Sequence, residues 1–310
     1  MESNSFGIAA IGSYLPVETQ DNASLAAQFG FADDFLESKF GVVAPHRKAE
    51  AEETSDLCVR AFEDLKARAG DQLGDIDLIV VVTQNPDGHG LPHTSAIVHQ
   101  KLDLPKRCFA FDVSLGCSGF VAALAIVKGY LATTGGHKAI LFTADPYSKV
   151  LDREDRNTAL IFGDGACATL ICDTSNWRIG AFDFGTDGKK SAALSVTSEA
   201  KLAMNGRSVF DFCALNIPGS VERVLAANNL TKENADAYVL HPGSRYIVDT
   251  IHDRLKIPRI PFPATYGNTV SSSIPMILKD MDPATQRTVV VSGFGVGLSW
   301  ATTVLRSVTP

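Results

Sequence analysis

Cys117 is the residue whose position best fits a nucleophile. It lies in the segment Ser114–Gly119, between a predicted buried strand and a predicted apolar helix. The small residues beside it allow a sharp strand-to-helix turn and the close approach of a substrate. A cysteine at a helix N-terminus meets free N–H groups and the positive end of the helix dipole, and both favour the thiolate. The alternative is a core-filling cysteine, which is our interpretation of the other five cysteines.

Two neutral hydrogen-bonding residues follow later in the chain. His241 ends an apolar strand and precedes Pro242, at the kind of strand end where α/β enzymes place functional groups. Asn268 stands in a Gly-Asn-Thr sequence before a serine-rich helix. A neutral imidazole and an amide can both donate hydrogen bonds to a developing enolate or thioester oxygen. The alternatives are a structural histidine and an ordinary asparagine N-cap.

Two Phe-Gly-x-Gly sequences, at 162–165 and 294–297, each precede an apolar strand. Each also follows a buried strand that itself follows a helix, and those two helices open with Cys117 and with Asn268. This repetition predicts an internal duplication, with α/β halves at residues 1–175 and 176–310. The second glycine turn can offer backbone N–H groups to an oxyanion. We interpret Asp164, in the first turn, as a structural residue.

The elements that must position these residues alternate along the chain, which predicts α/β layers. The predicted helices cover residues 54–69, 95–102, 117–131, 209–228, 244–255 and 269–281. The predicted strands cover residues 76–83, 108–113, 138–143, 166–172, 237–240, 288–292 and 298–305. The sequence around 173–210 is not rich in Pro or Ser, so we expect the two halves to be joined without a flexible linker.

Composition argues against several other classes of protein. With 45% hydrophobic and 20% charged residues, the 310-residue chain is typical of a globular protein, and its net charge of −7 disfavours nucleic-acid binding. No apolar run reaches the ~20 residues of a membrane span, and Met1–Phe6 does not read as a secretory signal. Six cysteines without a CxxC pair favour a reducing, cytoplasmic location. His89 and His93 lie in a Gly- and Pro-containing loop, so we expect no metal.

The order of Cys, His, Gly-Asn-Thr and Gly-Phe-Gly-x-Gly resembles that of ketoacyl-acyl-carrier-protein synthase III, a branch of the thiolase superfamily. The resemblance runs nearly end to end, and it is specific because several weak motifs occur together in order and spacing. The segments that carry it are 109–114, 116–120, 155–166, 225–230, 266–269 and 293–297. It implies a thiolase-like fold in which two duplicated α/β halves form a five-layered αβαβα core.

The resemblance also implies a mechanism. Cys117 would take an acyl group from a thioester, and His241 and Asn268 would bind the carbonyl of a malonyl thioester as it loses carbon dioxide. The resulting enolate would attack the acyl-cysteine and give a 3-ketoacyl product. The N–H of Cys117 and one from the turn would hold the oxyanion, with Phe294 at the pocket border; the turn residues are Gly295, Val296 and Gly297. The implied substrates are acyl-CoA or acyl-carrier-protein thioesters, without a further cofactor, and family members are homodimers with active sites beside the interface.

The chain departs from the family pattern at several positions. A His-Pro-Gly sequence at His241 replaces the usual His-Gln-Ala-Asn and also resembles plant-type polyketide synthases. Phe35 corresponds to a Trp that stacks on adenine, and Leu91 corresponds to a Phe that lines the partner's acyl pocket. Lys39 and Arg156 remain as candidate contacts for coenzyme A or a carrier protein. These departures point away from coenzyme A priming and toward another acyl substrate.

A basic cluster follows His241 along the chain, and it is a candidate docking site for an acidic carrier protein. An alternative is a solvated helix face balanced by acidic residues. The cluster consists of Arg245, Arg254, Lys256 and Arg259.

The sequence is compatible with three functions: decarboxylative condensation, acyl transfer from Cys117 to a hydroxyl or amine with His241 as base, and the role of a non-catalytic partner subunit. Retention of the three candidate residues disfavours the last.

Overall fold

The computed structural model describes residues 6–260 and 262–308; the segment 1–5, which includes most of the sequence examined for a secretory signal, lies outside them. The helices are α1 (Asn22–Gln28), α2 (Asp33–Phe35), α3 (Thr54–Ala69), α4 (Thr94–Lys101), α5 (Gly119–Thr134), α6 (Gly206–Ala227), α7 (Arg245–Leu255) and α8 (Ser273–Lys279). The strands are β1 (Gly7–Tyr14), β2 (Glu18–Thr19), β3 (His46–Arg47), β4 (Leu78–Val82), β5 (Phe109–Val113), β6 (Lys138–Ala144), β7 (Ala166–Cys172), β8 (Trp177–Thr186), β9 (Leu194–Val196), β10 (Leu202–Met204), β11 (Ala237–Leu240), β12 (Thr288–Gly295) and β13 (Ser299–Ser307).

Nine strands form one mixed sheet in the order β11-β12-β13-β8-β1-β7-β6-β4-β5. Strands β4, β5 and β6 run parallel to one another, as do β11 and β12, and the other pairs are antiparallel. Among the described residues, two pairs, Gly7 with Arg178 and Ile8 with Trp177, join β1 to β8. The sheet therefore consists of two halves that meet along a short junction. The predicted boundary at 175/176 falls in the turn between β7 and β8.

Helices cover both halves of the sheet and fill the space between them. Helices α3 and α4 pack on the outer face of the N-terminal half, and α6 packs on the outer face of the C-terminal half and against α7. Helices α5 and α8 contact strands of both halves, so they form the central layer. This arrangement, together with the structural matches given below, confirms the predicted five-layered αβαβα core.

The central layer explains why two segments are apolar on every side. Strand β4 is buried along its whole length because helices cover both of its faces. Helix α5 is apolar on nearly every side but buries one broad face, which includes Phe120, Leu124 and Leu131, between strands of both halves, while Ile126 on its other side is 40% exposed. Helix α3 has only one buried face; a reciprocal Glu53–Asp56 capping box opens it and Gly70 follows its last residue.

Two predicted helices begin later than expected. The helix predicted from residue 117 starts at Gly119, and Cys117 lies in the preceding turn. The helix predicted from residue 269 opens with a 3₁₀ turn, Val270–Ser272, and becomes α-helical only at Ser273. The cause is local: Val270 has a φ of 55°, and its N–H bonds to the Asn268 side chain rather than entering a helical ladder.

Candidate active site

Cys117, His241 and Asn268 line one cavity of about 520 Å³. They are 4%, 1% and 3% exposed, so all three lie at its buried end. Cys117 comes from the turn between β5 and α5, His241 follows β11 directly, and Asn268 precedes the 3₁₀ turn before α8. The two halves of the sheet thus bring together three residues that are separated by as many as 151 positions (268 − 117).

Two glycines of β12 make room for Cys117. A Cβ atom on Gly293 would lie 2.6 Å from the backbone oxygen of Cys117. A Cβ atom on Gly295 would lie 2.8 Å from both the Cβ and the Sγ of Cys117. Real Cβ atoms do not approach other atoms this closely, so any side chain at either position would displace the cysteine.

The turn after Gly295 holds a backbone donor beside the thiol. The N–H of Val296 acts on the sulfur of Cys117 and lowers the pKa of the thiol, against the effect of burial. A chain of hydrogen bonds fixes this turn: the Ser299 hydroxyl donates to the Val296 oxygen at 2.9 Å and lies 2.9 Å from the Ser118 hydroxyl. Because Ser118 follows Cys117 directly and occupies the N-cap position of helix α5, the turn is tied to the segment that holds the nucleophile.

The ionisation state of Cys117 differs from the sequence-based expectation. Burial raises the pKa of Cys117 to about 12, the carboxylate of the fully buried Asp145 acts in the same direction, and the N–H of Val296 opposes the shift. The expected thiolate is therefore absent from the resting protein. The helix begins two residues after Cys117, and its terminus does not outweigh the loss of hydration.

Asn268 is held in place by the glycine turn of the other half. Its backbone accepts a hydrogen bond from the Gly163 N–H at 2.9 Å and donates one to the Ile161 oxygen at 3.3 Å. Its side-chain Oδ1 accepts the Val270 N–H at 2.9 Å. This bond leaves the Nδ2 amide as the group that can donate to a substrate oxygen.

His241 remains attached to the sheet although it lies beyond β11. Its N–H donates to the Ser292 oxygen at 2.9 Å, and the edge of its ring faces Phe294 at a centroid distance of 5.8 Å and an angle of 90°. Burial lowers the pKa of His241 to about 3, so the imidazole is neutral at physiological pH. Its neighbour Phe294 lines the same cavity.

Family models for 3-oxoacyl-[acyl-carrier-protein] synthase III match residues 111–188, and models for the C-terminal part of that enzyme match residues 225–307. Beta-ketoacyl-[acyl-carrier-protein] synthase III of Streptococcus agalactiae is 31% identical over 320 aligned positions, which cover 96% of this chain and 98% of the relative. The chain belongs to the synthase III family. Membership places this synthase III among the condensing acyltransferases and confirms the predicted enzyme class.

Solved structures of synthase III enzymes agree with this fold. The 3-oxoacyl-(acyl carrier protein) synthase III of Pseudomonas aeruginosa superimposes with a TM-score of 0.89 at 30% identity, covering 99% of this chain and all of the other. A priming beta-ketosynthase from a polyketide biosynthetic pathway gives a TM-score of 0.87 at 26% identity, covering 98% and 97% of the two chains. The predicted thiolase-like fold is thus confirmed over nearly the whole length of the chain.

Some of the residues predicted to bind the donor or to line the pocket do line the cavity, and others do not. Phe35, Lys39 and Arg156 line the cavity, and all three are exposed, so they mark its mouth. Leu91 does not line this chain's cavity; it is 93% exposed in the loop between β4 and α4. Val296 and Gly297 contribute to the turn beside Cys117 rather than to the cavity wall.

The basic cluster after His241 lies outside the cavity lining and is partly engaged. The Arg245 guanidinium lies over the Phe262 ring at 5.1 Å, and Arg254 donates to the Ala214 oxygen at 2.6 Å. Lys256 is exposed at the end of α7. Arg259 pairs with Asp249 and Asp253 at 3.3 and 2.5 Å, which is the arrangement expected of a solvated helix face.

Several residues that line the cavity could not be predicted from the sequence, because they approach it from distant elements. Phe210 and Cys213 come from α6, Tyr246 comes from α7, and Phe31 precedes α2. Cys213 was assigned to the core, and it is indeed fully buried, but its position also faces the cavity. The part of the chain that the structure describes contains no cluster of potential metal ligands and no helix long and apolar enough to cross a membrane.

The pKa of Cys117 makes a testable prediction about its reactivity without substrate. Because burial raises the pKa of Cys117 to about 12, its thiolate fraction should grow about tenfold per pH unit, and alkylation by iodoacetamide should accelerate by about that factor per unit between pH 7 and 9. Intact-mass spectrometry follows the reaction, and Cys117→Ala reports the contribution of the other cysteines. A rate that is fast and constant over this range would mean that the resting sulfur is already a thiolate.

Proposed function

We propose that this synthase III joins an acyl group to a malonyl thioester by decarboxylative Claisen condensation, with Cys117, His241 and Asn268 as its catalytic residues. One observation carries the proposal: a buried thiol shares the closed end of a cavity with two neutral hydrogen-bond donors. The charged side chains among the described lining residues are exposed ones, Lys39, Arg156 and Arg207. A malonyl carboxylate at the closed end would therefore meet no cation that opposes its loss.

In the first half-reaction the Cys117 sulfur attacks the thioester carbonyl of the donor. The N–H groups of Cys117 and Val296 hold the oxygen that becomes negative. The bond between the acyl carbon and the donor sulfur then breaks, and the donor leaves as a thiol that carries the former cysteine proton. A thiol with a raised pKa is deprotonated only as attack proceeds, so the acyl-enzyme forms when a donor is in place.

In the second half-reaction His241 and Asn268 donate hydrogen bonds to the thioester oxygen of the malonyl group. The bond to the carboxylate breaks, carbon dioxide leaves, and the electron pair forms an enolate at the former malonyl carbon. That carbon attacks the acyl-cysteine, the carbon–sulfur bond breaks, and the 3-ketoacyl thioester leaves as product. The released Cys117 thiolate takes up one proton from water and returns to the thiol, because burial raises its pKa to about 12. Donors that are already neutral stabilise the enolate without having to gain or lose a proton.

Acyl transfer to a hydroxyl or amine, the alternative considered above, fits this site less well. It needs a general base that removes the acceptor proton, and efficient bases titrate near the working pH. His241 has a pKa lowered to about 3 by burial, so it binds a proton weakly. The site supports enolate stabilisation better than proton abstraction.

Incubation of the protein with acyl thioesters, followed by malonyl thioester, tests the proposal. Intact-mass spectrometry should show an acyl adduct first; carbon dioxide and a 3-ketoacyl thioester should then appear in equal amounts. If the acyl group instead moved from the adduct to hydroxyl or amine acceptors without release of carbon dioxide, the proposed condensation would be wrong and acyl transfer would be the reaction.

We also propose that two copies of this chain associate along strand β5. This strand ends the sheet, and its residue Phe109 is exposed and stacks on Tyr130 at 6.0 Å. An exposed edge strand with an aromatic face is a ready site for pairing with a second strand. In such a dimer the exposed Leu91 would reach the partner's cavity, as the resemblance implies.

Phe109→Asp should therefore convert the dimer to a monomer, because a carboxylate on the edge strand would be buried without a partner. Sedimentation velocity measures the change in mass. Phe184→Asp is the matched control, since Phe184 is about equally exposed but lies on β8, inside the sheet order. If the dimer instead persisted in Phe109→Asp and dissociated in Phe184→Asp, the interface would lie on β8, in the C-terminal half.

A further inference from the structure

A buried carboxyl group lies behind the nucleophile and outside the cavity. Asp145 follows β6 directly, at the edge of the sheet where the parallel strands β4 and β5 also end, and the turn that carries Cys117 follows β5. Asp145 is fully buried, and it is not among the residues that line the cavity. A substrate in the cavity therefore does not touch it, and any effect of Asp145 on the reaction acts through its neighbours.

Hydrogen bonds hold one oxygen of this carboxyl group and leave the other without a partner. Oδ1 of Asp145 accepts the Gln84 N–H at 2.6 Å and the Thr83 hydroxyl at 3.5 Å. Ser271, in the 3₁₀ turn before α8, also acts on the carboxyl group. Among the described residues none donates a hydrogen bond to Oδ2, although this atom is buried. The proton of the neutral acid would therefore lie on Oδ2.

The side chain of Gln84 connects Asp145 with the turn that carries the nucleophile. Its Oε1 accepts the Tyr147 hydroxyl at 3.1 Å. A Cβ atom on Gly116 would lie 2.5 Å from the same oxygen, so Gln84 lies directly against the residue that precedes Cys117. The separation between the carboxyl group and the sulfur is thus fixed by packed neighbours rather than by a flexible loop.

The carboxyl group is buried without a cation beside it. Burial raises the pKa of Asp145 to about 6, and the groups that act most strongly on it among the described residues are neutral hydrogen-bond donors. The titratable groups that it faces are Cys117, Tyr147 on the following turn and Cys58 on α3. Burial raises the pKa of each of these three, and the charge of Asp145 adds to the shift. The coupling is reciprocal, so a thiolate at Cys117 favours the protonated form of Asp145.

We propose that Asp145 is a positioning residue whose buried negative charge keeps Cys117 protonated in the resting enzyme and so restrains its reaction with other electrophiles. The charge opposes the thiolate but not the acyl-cysteine, because a thioester is neutral. The restraint is released when Asp145 takes up a proton. This inference rests on the proposed function only in treating Cys117 as the nucleophile.

The test measures the reaction of Cys117 with methyl methanethiosulfonate, in which the thiolate displaces methanesulfinate and forms a methyl disulfide. Intact-mass spectrometry gives the rate, and Cys117→Ala gives the background from other cysteines. Asp145→Asn removes the charge and can still accept the Gln84 N–H, as the neutral acid does. Its rate relative to wild type should be about one at pH 5, where Asp145 is largely neutral, and about threefold or more at pH 8, where Asp145 is ionised.

Asp87→Asn is the matched control. Asp87 is also buried and accepts the Ser55 N–H at 2.9 Å, but its charge acts on Cys58 and is not among the causes of the Cys117 shift. Its rate relative to wild type should stay at about one at both pH values. A rise with pH equal to that of Asp145→Asn would contradict the assignment to Asp145.

The wild-type protein alone provides a second measurement, which does not depend on the folding of a variant. Its rate should rise between pH 5 and pH 8 by about threefold less than the roughly 10³-fold increase of an isolated thiol. A full increase in wild type, or a ratio for Asp145→Asn that is the same at both pH values, would overturn the inference. Either result would leave the proposed function intact, because no acyl donor is used. Failure of acyl thioesters to load Cys117 would overturn the proposed function instead.

Discussion

Cys117→Ala is expected to abolish the acyl-enzyme and to lower condensation by at least about 10⁴-fold, since loss of the nucleophile leaves only binding and oxyanion stabilisation. Among the described lining residues, the Cys117 sulfur is the nucleophilic atom that lies against β12, 2.8 Å from where a Cβ of Gly295 would be, and on which the Val296 N–H acts. The alanine fits the same space, so the free energy of unfolding should change little. Intact-mass spectrometry with and without donor measures the loss directly.

Cys213 provides the matched control for this experiment. It lines the same cavity and is as fully buried, and burial raises the pKa of its thiol well above the usual range. It lies within helix α6, however, where neither a glycine turn nor free N–H groups face its sulfur. Cys213→Ser should still gain the acyl mass. If the acyl adduct persisted in Cys117→Ala and disappeared in Cys213→Ser, Cys213 rather than Cys117 would be the nucleophile.

Asn268→Asp is expected to leave acylation of Cys117 nearly intact and to slow decarboxylation by about 10²–10³-fold, the effect of losing one oxyanion donor. An aspartate can still accept the Val270 N–H through one oxygen, so the local turn is retained. Its other oxygen replaces the Nδ2 donor and would repel both the malonyl carboxylate and the enolate. The acyl adduct is measured by mass and the second step by release of carbon dioxide from malonyl thioester.

Asn229→Asp controls for the added negative charge, because Asn229 is exposed and does not line the cavity. It should leave both half-reactions unchanged. If Asn268→Asp reduced acylation and decarboxylation by the same factor, Asn268 would serve substrate binding or folding rather than enolate formation.

Much of this architecture could be predicted because its signals are local. The buried strand β4, the extent of helix α3 and the two glycine turns each follow from a few adjacent residues. Cys117, His241 and Asn268 stood out for the same reason, since each lies at the end of a recognisable strand or the start of a helix.

The parts that could not be predicted depend on packing between distant segments. The stack of Phe210 on Tyr246 requires the crossing of α6 and α7, and Phe31 meets Arg156 across 125 positions of sequence (156 − 31). The same limit explains the error over the Cys117 thiolate. A helix start is visible in the sequence, but the desolvation that raises the pKa of the sulfur arises only when β12 and α5 enclose it.

The close contact between Gly295 and the sulfur has a consequence for tracing the history of this fold. A Cβ at position 295 would lie 2.8 Å from the Cβ of Cys117 as well as from its Sγ, so replacing the cysteine by alanine would leave the clash in place. The φ of 157° at Gly295 is also a conformation that L side chains rarely adopt. The glycine is therefore required by the fold at this point as well as by the nucleophile, and a glycine at the aligned position of a related sequence does not by itself report an active cysteine.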